Sequence, residues 1–99
     1  VDLGYAPTAP PEVLFHGTTR HFLGRILQEG LQKQGRHHVH LSSDANTARA
    51  VGRRHGAPVV LRVDASGLHA EGGADFFVTD NGVWLVDHVP REFLEVHES

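Results

Sequence analysis

The chain has 99 residues, with no cysteine, nine lysines and arginines against twelve acids, and nine histidines. Its length caps it at one small domain with a thin core, and the missing cysteines exclude a disulfide framework and any thiolate metal site. A formal net charge of -3 denies it the whole-domain basic field that drives nucleic-acid affinity, so a polyanion would be met locally.

Residues 1–12 hold three of the five prolines and no apolar period, which predicts an extended linker or arm. Val13 to His16 reads as a short apolar strand, and Gly17-Thr18-Thr19 as a turn into a helix capped by Thr18 or Thr19. Phe22, Leu23, Ile26 and Leu27 give that helix a face expected to be buried, with Gly30 as its C-cap. From His37 to Ser42 the chain alternates, Val39 and Leu41 on one face and His38, His40 and Ser42 on the other, as in a half-buried strand.

Ser43 or Asp44 then caps a second helix running to about Arg54, with Ala45, Ala48, Val51 and Gly52 as small residues for close packing. Pro58 to Val63 predicts a buried strand, and His69 to Asp75 a glycine-broken excursion. Val83 to Val86 and Phe93 to Val96 are further strands, the first announced by the turn signal Asp80-Asn81-Gly82. Strands outnumber helices without alternating strictly with them, so the expected class is α+β with a largely antiparallel core. No apolar run spans a membrane and no leader precedes the domain, which gives a cytoplasmic setting as the expectation.

Four stretches are candidates for chemistry. Between Arg36 and Ser42 a guanidinium, three imidazoles and a hydroxyl fall within seven positions. His38 and His40 side by side on one strand face can hold zinc, can be plain exposed histidines, or can bind an anion or nucleotide beside the planar fork of Arg36. His16-Gly17-Thr18 sets a glycine after a strand, open to close approach, between a histidine and a hydroxyl. Arg53-Arg54-His55-Gly56 follows a helix C-terminus, where the macrodipole alone favours cations. Asn81 to Leu85 is explained mostly by a turn into a strand with a buried Trp84.

Taken together, His16-Gly17-Thr18, Arg36 with His38-Val39-His40-Leu41-Ser42, the block from Thr47 to Leu61, and Asn81-Gly82-Val83-Trp84-Leu85 resemble, in order and spacing, the catalytic lobe of the RNA 2'-phosphotransferases. The resemblance covers residues 13 to about 95 and places the chain with the ADP-ribosyltransferase superfamily. It implies a split antiparallel β core with two main helices, residues 1–12 as an interlobe linker and 13–99 as the NAD-binding lobe. An N-terminal RNA-binding lobe would be absent, and the lobe is expected to be a monomer. The implied partners are NAD, consumed as co-substrate, and a 2'-phosphorylated RNA such as a tRNA splice junction.

The implied reaction removes an internal RNA 2'-phosphate by way of ADP-ribosylated RNA, yielding nicotinamide and ADP-ribose 1'',2''-cyclic phosphate. The resemblance makes Arg36 the cation that aligns the 2'-phosphate. His16, His40 and Val83 stand where many superfamily members have histidine, tyrosine and glutamate. His40 would then lie near the nicotinamide, and His16 with Gly17 would contact ribose and carboxamide. Thr18, His38, Ser42 and Arg54 follow as dinucleotide contacts, Arg54 toward phosphate, and Phe76 as an aromatic covering the nicotinamide. Thr79 replaces a more usual serine. His21, His69, His88 and His97 match no block and are expected at the surface, and the chemistry requires no metal. The alternatives are an NAD-binding fragment, a stand-alone ADP-ribosyltransferase or NAD glycohydrolase acting on other phosphorylated acceptors, and a non-catalytic histidine-rich metal-binding or interaction module.

Overall fold

Two antiparallel sheets meeting at a seam organise the molecule, whose computed structural model describes residues 6–33 and 38–97. The first sheet has the order β1 (Leu14–Thr19), β4 (Pro58–Val63), β8 (Leu94–Val96). The second has the order β3 (Val39–Leu41), β6 (Trp84–Val86), β5 (Phe77–Val78). A small ladder pairs β2 (Leu31–Gln32) with β7 (His88–Val89). Three α-helices, α1 (Arg20–Glu29), α2 (Ala45–Arg53) and α3 (Ala65–Ala70), complete the described elements with a 3-10 turn at Arg91–Phe93. The α+β class and the antiparallel pairing agree with the sequence; three helices stand where two main ones were expected.

The sheets divide their faces by strand alternation. Leu14 of β1 and Leu61 and Val63 of β4 point into the main core, with Val39, Leu41, Val86, Val89, Leu31, Leu68 and Phe76. On the opposite face Gly17 and Val60 are cross-strand partners, and α2 lies against them. The approach is close enough to exclude a side chain at either glycine of the contact. A methyl at Gly17 would overlap the Ala48 carbonyl oxygen, and one at Gly52 would sit 2.6 Å from the Thr18 carbonyl. Asp44 caps α2 as expected, its carboxylate accepting from the Thr47 amide at 2.7 Å and the Thr47 hydroxyl at 2.8 Å. Those two bonds, the backbone one foremost, hold the Asp44 carboxyl below its ordinary range.

Several expectations need correction. Gly17-Thr18-Thr19 does not turn; it continues β1, because the pairing with Val60, Val59 and Pro58 runs to the end of that strand. Thr19 is the N-cap of α1 by position, yet its hydroxyl makes no cap bond and is buried with no hydrogen-bond partner among the described residues. Phe22 and Leu27 are exposed, at 51% and 41%, while only Leu23 and Ile26 pack on the core. The helix meets the body along a narrow line, so the flanks of its apolar stripe stay in water. Gly30 does end it, at φ 82°.

The expected excursion at 69–75 begins inside a short helix the periodicity missed, α3, which takes in His69 and Ala70 and is capped by Asp64 accepting from Gly67 N–H at 3.1 Å. Phe93 closes the 3-10 turn and lies just before β8, and Val83 precedes β6. The described part of the arm is extended but attached: Thr8 N–H donates to the Phe76 carbonyl at 2.7 Å, and Ser66 N–H to that of Glu12 at 3.2 Å. Among the described residues no helix is long and apolar enough to cross a membrane.

Candidate binding site at the sheet seam

The two sheets touch where Phe15 and Ser42 exchange backbone hydrogen bonds, at 2.8 and 2.7 Å. Beyond that isolated bridge the strands part, so the β1 amide that a continued ladder would have brought to the His40 carbonyl does not reach it. The imidazole of His16 takes its place, with Nδ1 3.0 Å from that carbonyl oxygen. One residue along, His40 Nδ1 lies 3.1 Å from the His38 carbonyl. A carbonyl can only accept, so both Nδ1 atoms carry the proton and donate. When neutral, each ring is thereby fixed in one tautomer, with Nε2 as the acceptor-bearing nitrogen.

Around these rings the predicted residues gather unequally. His38, His40 and Ser42 share one face of the second sheet's edge strand, as the alternation required, while Val39 and Leu41 are buried on the other. His40 lies in register with Leu85 of β6, which pairs in turn with Phe77 of β5, so these three share that face. The Phe77 ring stands 5.7 Å from that of His38, edge to face. Thr18 follows His16 on the same side of β1 and is buried.

Val83 is half-buried at the foot of β6, its amide donating to Thr79 Oγ1 at 3.1 Å and its carbonyl accepting from Thr79 N–H at 2.8 Å. The turn between them carries Gly82 at φ 82°, as Asp80-Asn81-Gly82 predicted. Thr79 therefore positions the loop before β6, a role its sequence context did not reveal.

Other expectations separate from this cluster. Phe76 is fully buried in the main core, so it cannot cover a ligand; the half-buried Phe77, one residue on, presents its ring beside His38. Strand phase decides between the two phenylalanines, and it is set by the pairing of Phe77 with Leu85. Arg54 lies exposed just past α2, between Gly52 and Gly56, which approach Thr18 and Thr19 at the end of β1. Gly17 is required by the approach of α2 whatever else its backbone does. Arg36 and His37 lie outside the described residues. Of the histidines expected at the surface, His21, His69 and His88 are exposed, and His97 is half-buried with its ring 5.2 Å from that of Phe15.

A depression of about 370 Å³ opens beside the cluster, lined by His38, Phe77, Asp75, Asp87 and His88 among others. Asp87 is held below the ordinary carboxylate range chiefly by a 2.7 Å bond from Lys33, which outweighs the opposing cost of burial, with lesser electrostatic support from Lys33, His38 and His88. Among the described residues no three histidines or carboxylates come together as a metal set would need. A second groove, of about 320 Å³ and rich in carboxylates, runs past Glu12, Asp64, Glu92 and Glu95 and contains none of the candidate residues.

Fold and site thus define an α+β domain whose sheet seam carries two imidazoles, each bonded through Nδ1 to a backbone carbonyl. Residues 2–88 match the family model described as RNA 2'-phosphotransferase, Tpt1 / KptA family. The chain is 56% identical over 96 residues to a probable RNA 2'-phosphotransferase of Agrobacterium fabrum, covering 97% of this chain and 51% of that protein. It is 52% identical over 96 residues to one of Trichormus variabilis, covering 97% and 52%, and 55% identical over 91 residues to one of Burkholderia lata, covering 92% and 46%. The chain belongs to the RNA 2'-phosphotransferase family, and it spans about half the length of these curated relatives.

Proposed function

We propose that this chain is the NAD-binding, ADP-ribosyltransferase-like lobe of an enzyme that removes an internal 2'-phosphate from RNA. The observation that carries the reading is the pair of imidazoles held by Nδ1–H to the carbonyls of His40 and His38. The donor set at the seam suits a dinucleotide: the Nε2 atoms of His16 and His40 accept from hydroxyl or amide protons, and Ser42 and Thr18 add hydroxyls beside them. When bound, NAD supplies an electrophilic anomeric carbon and nicotinamide as leaving group.

The chain's own residues have the remaining tasks. His16 accepts from a ribose hydroxyl and so fixes the rotation of that sugar. His40 and His38, with Phe77 beside them, bound the space for the flat nicotinamide and keep water from it. Val83 offers no carboxylate, in keeping with a nucleophile that is already an anion: a phosphate monoester needs no general base, only alignment and charge compensation. Arg36 is assigned that compensation, through a bidentate fork on the 2'-phosphate. Thr18, Ser42 and Arg54 hold the rest of the dinucleotide, Arg54 at its phosphates. The chain spans about half the length of the relatives, which is compatible with its being one lobe of a longer enzyme.

Calorimetric titration with NAD tests the assignment. Wild type binds, and His16→Phe, which removes the acceptor while filling the seam, weakens binding at least tenfold, about 1.4 kcal/mol. Binding undiminished in that variant would remove His16 from the site.

A further inference from the structure

Charge is partitioned along this chain far more sharply than its net value of -3 shows. Residues 13–63 carry eight of the nine lysines and arginines and two of the twelve acids, whereas residues 64–99 carry one and eight. The fold turns part of this division into a surface. The last turn of α2 lies on the end of β1, and a methyl at Gly56 would stand 3.6 Å from the Thr19 side chain. Arg20, the next residue, opens α1. Arg20, Arg53, Arg54 and His55 therefore collect at one end of the molecule, all exposed, with Arg49 one turn behind Arg53 on the same flank of α2.

Among the described residues none of these arginines has a carboxylate partner; the three ion pairs use Arg25, Lys33 and Arg62. The macrodipole accounts for Arg53 at the C-terminal end of α2 but opposes Arg20, a cation at the first position of α1. A local rule broken with no compensating contact points to a use outside the fold.

We propose that Arg20, Arg49, Arg53 and His55 form a phosphodiester-binding surface for the RNA strand flanking the 2'-phosphate, an inference that rests on the RNA-directed function above. Thr19 lies three residues from His16 along β1, about 10 Å at the rise of an extended strand, so the surface lies within reach of nucleotides next to the reacting one. Arginine forks pair with phosphodiester oxygens without reading bases, and the affinity they confer falls with salt.

The test is fluorescence anisotropy of the whole chain with a labelled single-stranded oligoribonucleotide carrying no 2'-phosphate, so that binding is separated from transfer. Wild type binds at low salt. R20A/R53A binds about tenfold more weakly, and its log-log salt slope falls by about 1.4, two contacts at about 0.7 each for a single strand. R20K/R53K recovers most of the slope, and Arg91→Ala, in the acidic half, changes nothing. Wild-type binding retained by R20A/R53A, absence of wild-type binding, or displacement of the oligonucleotide by saturating NAD would overturn the proposal. Arginine-dependent binding of an RNA whose 2'-phosphate is never removed with NAD would count against the proposed function and for this surface.

Discussion

Gly17 has two possible reasons to be glycine, and they predict opposite results for Gly17→Ala. If the residue serves only to bring backbone near a ligand, the variant folds normally and loses binding. The structure gives a different answer, because the added methyl would overlap the Ala48 carbonyl oxygen and lie 2.7 Å from its carbon and 2.9 Å from the Gly52 nitrogen. All three atoms are backbone, so no side-chain rotation relieves the overlap; α2 must lift from β1. Overpacking typically costs about 1–3 kcal/mol, and a backbone-to-backbone clash belongs at or beyond the upper end. For a domain of this size about 3 kcal/mol lowers the melting temperature by about 12–24 °C. Thermal unfolding followed by circular dichroism measures it. A melting temperature within about 2 °C of wild type would refute the β1–α2 contact as described.

Gly24 provides the converse case: it is exposed in the middle of α1 with nothing within 4 Å of an added methyl, so Gly24→Ala should stabilise by about 0.5–1 kcal/mol, read in the same melt. Thr19→Val keeps the shape and removes a buried hydroxyl that neither caps α1 nor finds another partner among the described residues, so chemical denaturation should show it neutral to about 1 kcal/mol more stable. The lowered carboxyl of Asp44 contributes stability that is present above its unfolded pKa and disappears as pH falls through its lower folded value. Asp44→Asn keeps an acceptor for the Thr47 amide but no titratable charge. Its acid unfolding curve should therefore lack the part of the loss that wild type shows below the usual aspartate range; an unchanged acid limb would contradict the assignment.

What could be read from the sequence follows how local each determinant is. α2 was legible because its signals are adjacent in the chain: a capping Asp44 before Thr47, then Ala48 and Gly52 one turn apart on the packed side. α1 was legible as a helix but not in its exposure, since the period of Phe22, Leu23, Ile26 and Leu27 marks an apolar stripe and says nothing of how much neighbouring chain covers it. β2 and β7, two residues each, exist only by pairing with one another across the chain, and α3 has too little apolar repeat to be seen.

The site divides in the same way. The alternation of Val39 and Leu41 with His38 and His40 fixed their faces, but the bond from His16 to the His40 carbonyl joins residues 24 apart and had no local signal. Phe76 and Phe77 are neighbours of the same type, and only the register of β5 against β6 sends the first to the core and leaves the second beside His38.

The proposed function is tested most directly by incubating the protein with NAD and an oligoribonucleotide bearing one internal 2'-phosphate, beside the same oligonucleotide without it, and following nicotinamide and the 2'-phosphate together. The account predicts nicotinamide released in step with loss of the 2'-phosphate and none from the unphosphorylated control. Nicotinamide released equally from both, or loss of the 2'-phosphate as inorganic phosphate with NAD intact, would contradict it.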